Sequence, residues 1–394
     1  MRKLSVRDLD IKGKKVFVRV DFNVPMDETG KIRSDVRIRA ALPTIEYIVK
    51  NQGLAILASH LGKPKGKKDL KYSLKLVAQR LSELIKKSVL FAEDCVGEPA
   101  EKIVKQAKPG DVVLLENLRF HAEEEKNDPI FAKALANLAD LYVNDAFGTA
   151  HRAHASTEGM AKLFEKPAAG FLMEKEINYL SSVVESPKSP FIAVIGGAKV
   201  SDKSAVIKNM LAKVDNLLLG GGLIFNFYKA KGYEIGKSIW EPELLEEAKS
   251  LINEKKIHLP EDVMVSDQTD GQGMSETVSA DKIPNDRAGL DIGPKTIKKY
   301  QELLCNAKTI VWAGPMGMFE NEKFAQGTKG VAEAIVDATK KGAITVVGGG
   351  DTVAALEKFK LADKVSHAST GGGASLEYLE GLTLPGIAVL KDRI

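Results

Sequence analysis

Short apolar runs alternate with helix-patterned segments along nearly the whole chain, and that alternation leaves few folds open. Residues 15–20 (Lys-Val-Phe-Val-Arg-Val) read as a strand and residues 38–50 carry helical spacing. Residues 54–59 read as a second strand, and 73–87 as a helix with Leu74, Val77, Leu81, Leu84 and Ile85 on one face. Strands at 89–92, 112–116 and 140–144 and helices near 98–106 and 130–138 continue the series. An amphipathic helix at 172–186 ends before Pro187 and Pro190. The series then restarts, with strands at 191–195, 217–219, 263–266, 310–312 and 344–347 and helices between them, including 242–254 and 330–340. Strands alternating with helices predict parallel sheets covered on both faces, an α/β doubly wound architecture. A chain of 394 residues exceeds one typical core, so two such domains are expected. Their expected limits are 1–171 and 187–381, with 172–186 as the connecting helix. The apolar stretch 384–390 cannot be a free tail.

In open α/β sheets, ligands sit outside the carboxyl ends of the strands. In the first half those ends are polar: Asp21 and Asn23, His60 and Lys63, Arg119 and His121, then the run from Asp145 to His154. Nine of the eleven arginines precede residue 160. Arginine suits a two-pronged grip on carboxylate or phosphate, so this half looks built to hold a small anion.

In the second half the strand ends are glycine-rich. Val347-Gly-Gly-Gly-Asp-Thr352 follows an apolar strand and opens a helix, and Ser369-Thr-Gly-Gly-Gly-Ala-Ser375 repeats the idea. Glycines let backbone approach an anion, and free amides at a helix start point towards it. The competing reading is that Asp351 or Thr352 merely caps a helix. Gly196-Gly-Ala-Lys-Val-Ser-Asp-Lys203 places Lys199 in a loop and Lys203 in a first helical turn. A lysine there opposes the helix dipole, which an anion site accepts. Asp351 is an acid beside an inferred phosphate site. Mg²⁺, which takes one or two carboxylates plus phosphate oxygens, would reconcile the two. Glu320 could accept from ribose hydroxyls.

Several functions are excluded. Residues 231–238 miss the P-loop spacing by one position, and neither 348–350 nor 220–222 completes a dinucleotide fingerprint. Protein-kinase signatures and a nucleophile elbow are absent. His151 and His154 lack a third zinc ligand. A net charge of +4, and basic residues without interleaved aromatics, argue against nucleic acid. No apolar run spans a membrane, and the N-terminus has no secretory pattern. Cys95 and Cys305 are expected to be buried thiols, which fits a reducing, cytoplasmic setting.

Taken together, the motifs at 19–25, 59–64, 116–121, 144–156, 196–203, 347–352 and 369–377 strongly resemble phosphoglycerate kinase, end to end and in family order. The resemblance implies two Rossmann-like domains facing a cleft, with the C-terminal segment 382–394 folded back on the first. It implies reversible transfer between 1,3-bisphosphoglycerate and Mg-ADP, giving 3-phosphoglycerate and Mg-ATP. By matching positions, Asp21, Asn23, Arg37, His60, Lys63, Arg119 and Arg152 should hold phosphoglycerate. Lys203, Gly221, Gly293, Pro315, Glu320, Gly349, Gly350, Asp351 and Thr352 should hold nucleotide, with Asp351 on Mg²⁺. Arg37, Lys199, Lys203, Gly350, Gly371, Gly372 and Gly373 should surround the migrating phosphoryl group. Hinge closure at 172–186 and 369–377 and a monomeric, cytoplasmic enzyme with small-molecule substrates complete the expectation. Another carboxylate kinase, or a non-catalytic nucleotide-binding or nucleic-acid-binding protein, are the competing readings. Lys63 stands where the family commonly has arginine, and Ala313 where asparagine is usual.

Overall fold

The computed structural model describes residues 2–27 and 30–393. Two compact units form, Met1–Asn178 with Thr383–Ile394, and Tyr179–Leu382. The division falls inside the helix Phe171–Val184.

The first unit is built on six parallel strands: β1 (Lys15–Val20), β2 (Leu54–Ala58), β3 (Val89–Ala92), β4 (Val112–Leu115), β5 (Leu141–Asp145) and β6 (Ala168–Ala169). Their spatial order is β3-β4-β2-β1-β5-β6. Both sheet faces are covered, as parallel sheets require. Val16, Val18, Ala55, Leu57, Val112, Leu114 and Val143 pack in one core with Ile38, Ile45 and Ile48 of helix Val36–Lys50 and Val77 and Leu81 of helix Lys75–Ile85. On the other face Phe17 and Tyr142 stack, with ring centroids 6.2 Å apart. The C-terminal segment belongs to this unit: Leu384, Ile387 and Leu390 are buried. The Leu4 amide donates to Lys391 O (2.7 Å) and the Gly386 amide to Ala150 O (2.8 Å).

The second unit repeats the plan with β7 (Phe191–Ile195), β8 (Asn216–Leu219) and β9 (Ile257–His258). After three further strands, β10 (Asp262–Ser266), β11 (Ser275–Ser279) and β12 (Ala288–Ile292), come β13 (Thr309–Ala313), β14 (Ile344–Gly348) and β15 (His367–Ala368). The parallel sheet runs β15-β14-β13-β7-β8-β9. Ile192, Val194, Ile310, Trp312 and Val347 pack against Val331, Ile335 and Val336 of helix Gln326–Lys340.

Two expectations need correcting. The strand near 263–266 is not part of the parallel series; β10 pairs antiparallel with both β11 and β12. A turn-rich connection, Asp267-Gln-Thr-Asp-Gly-Gln-Gly273, returns the chain directly and so enforces antiparallel pairing. Strand β11 is mostly exposed and polar, which hides it from hydrophobic patterning. The cysteines also differ from expectation. Cys95 is buried, but Cys305 is exposed at the end of helix Pro294–Leu304, with its Sγ 2.9 Å from Lys341 Nζ.

Candidate active site

In the first unit the polar cluster forms at the carboxyl ends of four adjacent strands, β4, β2, β1 and β5. After β1, Asp21 Oδ2 accepts from Arg37 Nη1 (2.9 Å), which lies in the first turn of helix Val36–Lys50. Asn23 Oδ1 accepts from the Gly62 amide (2.9 Å), tying the β1 loop to the β2 loop. After β4, the short turn Leu118–Phe120 carries Arg119 inward, and its Nη1 donates to Gly62 O (2.9 Å). The Nε and Nη2 of Arg119 are buried without a hydrogen-bond partner. Its Nε lies 3.2 Å from Glu125 Oε1, but at an angle that makes no hydrogen bond. Buried donors of this kind are costly unless a ligand completes them. Arg152, after β5, is exposed and donates from Nε to His151 Nε2 (3.1 Å). Lys63 is exposed.

His60 marks the centre of the cluster. Burial, and then the charges of Arg19, Arg119, Arg37 and Arg152, hold its imidazole well below the usual range, so it is neutral. The same four arginines thus lie near enough for their charge to act on one imidazole, and Arg19 touches it. Burial, followed by Arg19, Arg119 and Arg152, also lowers His154, to about 4.

A supporting network behind this cluster was not anticipated. Arg19, inside β1, is 1% exposed. Its Nε donates to Ser156 Oγ (2.7 Å), its Nη1 bonds Val20 O, and its Nη2 lies 3.3 Å from His60 Nδ1. Ser156 in turn donates to the buried Glu124 from its amide (2.9 Å) and hydroxyl (2.6 Å). The signal for Arg19 was visible: a charge inside an otherwise apolar strand must be paired. Glu124 sits within Glu123-Glu124-Glu125 and had nothing to set it apart.

In the second unit, glycine loops occupy the corresponding positions, at the ends of adjacent strands β14, β13, β7 and β8. They interlock by backbone. The Gly197 amide donates to Pro315 O (3.0 Å), Gly221 to Met316 O (2.9 Å) and Leu223 to Gly197 O (3.2 Å). Gly221 (φ +69°) and Gly314 (φ +97°) take left-handed conformations, and a Cβ on either would run into neighbouring backbone. Thr352 is fully buried, and its Oγ1 accepts from the Gly314 amide (2.7 Å). Ser375 links the two glycine helix starts, with its Oγ accepting from Gly349 (3.4 Å) and donating to Gly372 O (2.7 Å).

These loops wall a cavity of about 280 Å³. Gly221, Pro315, Glu320 and Asp351 line it, as do Gly197, Ala198 and Gly222. Its apolar walls come from Ile224, Phe225, Ile239, Leu290, Met316, Met318 and Phe319. No sequence motif announced those apolar residues, because each also fits a core position. Gly293, Lys203, Gly349, Gly350, Thr352 and Gly371 to Gly373 are not among the lining residues. Gly293 packs against Asp262, while Gly289, Leu290 and Asp291 face the cavity instead. Lys203 is nearly buried. Burial lowers its ammonium, opposed by Asp202, Asp351 and Glu380. Lys199 is exposed, in the loop whose Ser201 donates to Glu241 (2.6 Å). The Asp351 carboxylate, in the first turn of helix Gly350–Lys358, makes no hydrogen bond or ion pair among the described residues.

An apolar slot walled by glycine loops, near a buried lysine and beside a free carboxylate, can take a flat apolar ring with a phosphate tail. The arginine cluster can take a small multiply charged anion.

Known proteins fit this geometry. The family profile described as phosphoglycerate kinase matches residues 6–382. The chain is 55% identical over 393 residues to a cytosolic phosphoglycerate kinase from Triticum aestivum, covering 98% of each chain. It is 54% identical over 393 residues to a cytosolic one from Nicotiana tabacum, again covering 98% of each. The solved structure of phosphoglycerate kinase from Coxiella burnetii superposes with a TM-score of 0.90 at 42% identity, covering 98% of both chains.

Proposed function

The chain belongs to the phosphoglycerate kinase family, and from that premise we propose which of its residues carry the reaction. The enzyme transfers a phosphoryl group reversibly between 1,3-bisphosphoglycerate and ADP, giving 3-phosphoglycerate and ATP. In the direction of ATP synthesis, an ADP β-phosphate oxygen attacks the acyl phosphorus. The P–O bond to the acyl group breaks and the carboxylate leaves. Attacking and leaving oxygens are both ionised, so neither direction needs a general base. Catalysis then reduces to in-line placement, exclusion of water and positive charge on the moving group.

Arg37, Asp21, Asn23, His60, Lys63, Arg119 and Arg152 hold phosphoglycerate in this reading. The observation that carries it is Arg119: a buried guanidinium with two nitrogens that lack a hydrogen-bond partner, near a neutral His60. A neutral imidazole offers a hydrogen bond without repelling the arginines, and a substrate phosphate or carboxylate would satisfy the guanidinium. ADP and ATP take the cavity of the second unit, with the adenine against Phe225 and Leu290 and the phosphates towards Gly221, Lys203 and the helix start at Gly350. Arg37, Lys199, Lys203 and Gly371 to Gly373 surround the phosphoryl in flight.

Asp351 fits Mg²⁺ as a ligand. Its carboxylate is exposed, lines the cavity and is unclaimed by other side chains, so one hard oxygen is available beside the phosphates. Mg²⁺ bound there would neutralise phosphate charge, while Lys203 supplies a fixed cation from the protein. Both ligands must meet for transfer, and this reading includes hinge closure, with helix Phe171–Val184 and the segment 369–377 as the candidate hinges. The reading takes the enzyme as a monomer, and a cytosolic setting is supported by the wheat and tobacco relatives, which are named cytosolic. Among the described residues no helix is long and apolar enough to cross a membrane.

A coupled assay with 3-phosphoglycerate and Mg-ATP, run beside a panel of other carboxylates, tests the assignment. Turnover should be specific to 3-phosphoglycerate. Preference for another acid would reassign the substrate while leaving the reaction type.

A further inference from the structure

Between residues 63 and 75 stand six lysines, Lys63, Lys65, Lys67, Lys68, Lys71 and Lys75, against a single acid, Asp69. All six are exposed. None forms an ion pair among the described residues. Lys68 Nζ donates to the Glu93 carbonyl (3.1 Å), and Lys71 Nζ stands 5.7 Å from the Tyr72 ring centroid. A solvated loop normally intersperses charges of both signs; this one does not.

The loop is also fixed. Asn117 accepts from the Leu61 amide (3.2 Å) and donates to Leu61 O (2.8 Å) and Tyr72 O (2.9 Å). Arg119 donates to Gly62 O (2.9 Å), and the Gly66 amide donates to Arg119 O (3.2 Å). At the far end, Glu116 accepts from Ser73 Oγ (2.7 Å) and the Leu74 amide (2.8 Å). Every one of these anchors lies on the segment that follows β4 and delivers Arg119 to the anion cluster. The lysines, none of them in an ion pair among the described residues, are thus held on the loop beside the buried arginine.

We propose that this loop is an electrostatic capture surface for phosphoglycerate, concentrating the multiply charged anion beside Arg119 before the close contacts form. The inference rests on phosphoglycerate binding in the first unit. Unpaired surface charge acts over about 8 Å at physiological ionic strength, enough to reach past one loop into the adjoining cluster. It steers encounter while contributing little once the ligand is seated. Nucleic acid is a poor occupant, because Tyr72 is the one aromatic in the run and a stacking platform needs several.

The test is the triple variant Lys65→Gln, Lys67→Gln, Lys75→Gln, none of which is placed in the binding site. Steady-state rates are measured for 3-phosphoglycerate and for Mg-ATP at ionic strengths from about 20 mM to about 300 mM. At low salt kcat/KM for 3-phosphoglycerate should fall about three- to tenfold, the lower end of what steering supplies. The deficit should shrink below about twofold at high salt, where the charges are screened. The turnover number, KM for Mg-ATP and urea midpoint should be unchanged, and the matching triple arginine variant should keep the wild-type salt profile. Equal kcat/KM at low salt, or a deficit that persists at high salt, would overturn the proposal. Absence of 3-phosphoglycerate turnover in the wild type would instead overturn the substrate assignment.

Discussion

The two units place their candidate ligand sites at the same topological position, across the ends of four adjacent parallel strands, yet build them from opposite materials. In the first, long side chains do the work: Arg37, Arg119 and Arg19 bring their charge to bear on His60, braced by Asp21, Ser156 and Glu124. In the second, side chains are removed so that backbones can touch, with Gly197, Gly221 and Gly314 interlocked. On the proposed assignment, with phosphoglycerate on the first unit and nucleotide on the second, the difference follows from the ligand. A small, highly charged acid offers little surface and must be gripped by charge. A nucleotide offers an apolar ring, which wants a slot, and a phosphate chain, which wants amides at close range. One strand-end geometry accommodates both because it constrains only where loops emerge.

Breaking the charged side should give the largest effect. Arg37→Ala should lower kcat about 10²–10³-fold, the usual loss when a donor to transition-state charge is removed, while circular dichroism stays native. Near-normal turnover would remove Arg37 from the catalytic set. On the other side, Asp351→Asn should raise the Mg²⁺ and nucleotide requirement about tenfold or more without moving KM for 3-phosphoglycerate. An unchanged Mg²⁺ titration would reduce Asp351 to a helix-end residue.

Gly221→Ala probes the backbone interlock itself. A side chain at φ +69° that also meets Gly197 backbone should destabilise the second unit by about 1–3 kcal/mol and weaken nucleotide binding, with phosphoglycerate binding intact. Equal loss of both ligands would show that the two sites are not separately built. A smaller effect is expected from Lys63→Arg, which restores a planar fork in place of a point charge. KM for 3-phosphoglycerate should fall about two- to threefold by the strength of one added charge-assisted bond.

The charged cluster also carries a pH signature of its own. His60 and His154 are both depressed in the folded protein, by burial first and then by the arginines. The unfolded chain takes up these protons near pH 6.5, whereas folded His154 does so only near 4. The share of the stability that these two histidines carry should therefore decline as pH falls below about 6.5. Urea midpoints at pH 7 and pH 5 measure this, and the double variant His60→Gln, His154→Gln should flatten the slope. An unchanged slope would mean that neither imidazole is held neutral.

The parallel sheets and the strand-end clusters were legible in the sequence because they rest on two local signals, β-branched runs and the residues that directly follow them. Asp21, Asn23, His60 and Arg119 were readable on that basis, and so were Gly221 and Pro315. What escaped lacks a local signal. The apolar walls at Phe225 and Leu290 look like ordinary core residues until the fold leaves them facing a cavity. Glu124 gains its role only when Ser156, 32 residues away, comes beneath it. Strand β11 lies on an exposed surface and shows no apolar alternation. Gly293 packs against Asp262, a neighbour that no local signal in the sequence predicts.

The division of labour between charged side chains and bare backbone is tested most directly by amide NMR on the full chain, with each ligand added alone at subsaturating concentration. 3-Phosphoglycerate should first perturb the amides of Asn23, Gly62, His60 and Arg119. Mg-ADP should first perturb Gly197, Gly221, Gly222 and Asp351. If 3-phosphoglycerate instead moved the glycine loops first, or both ligands moved the same amides, the two sites would not be divided as described.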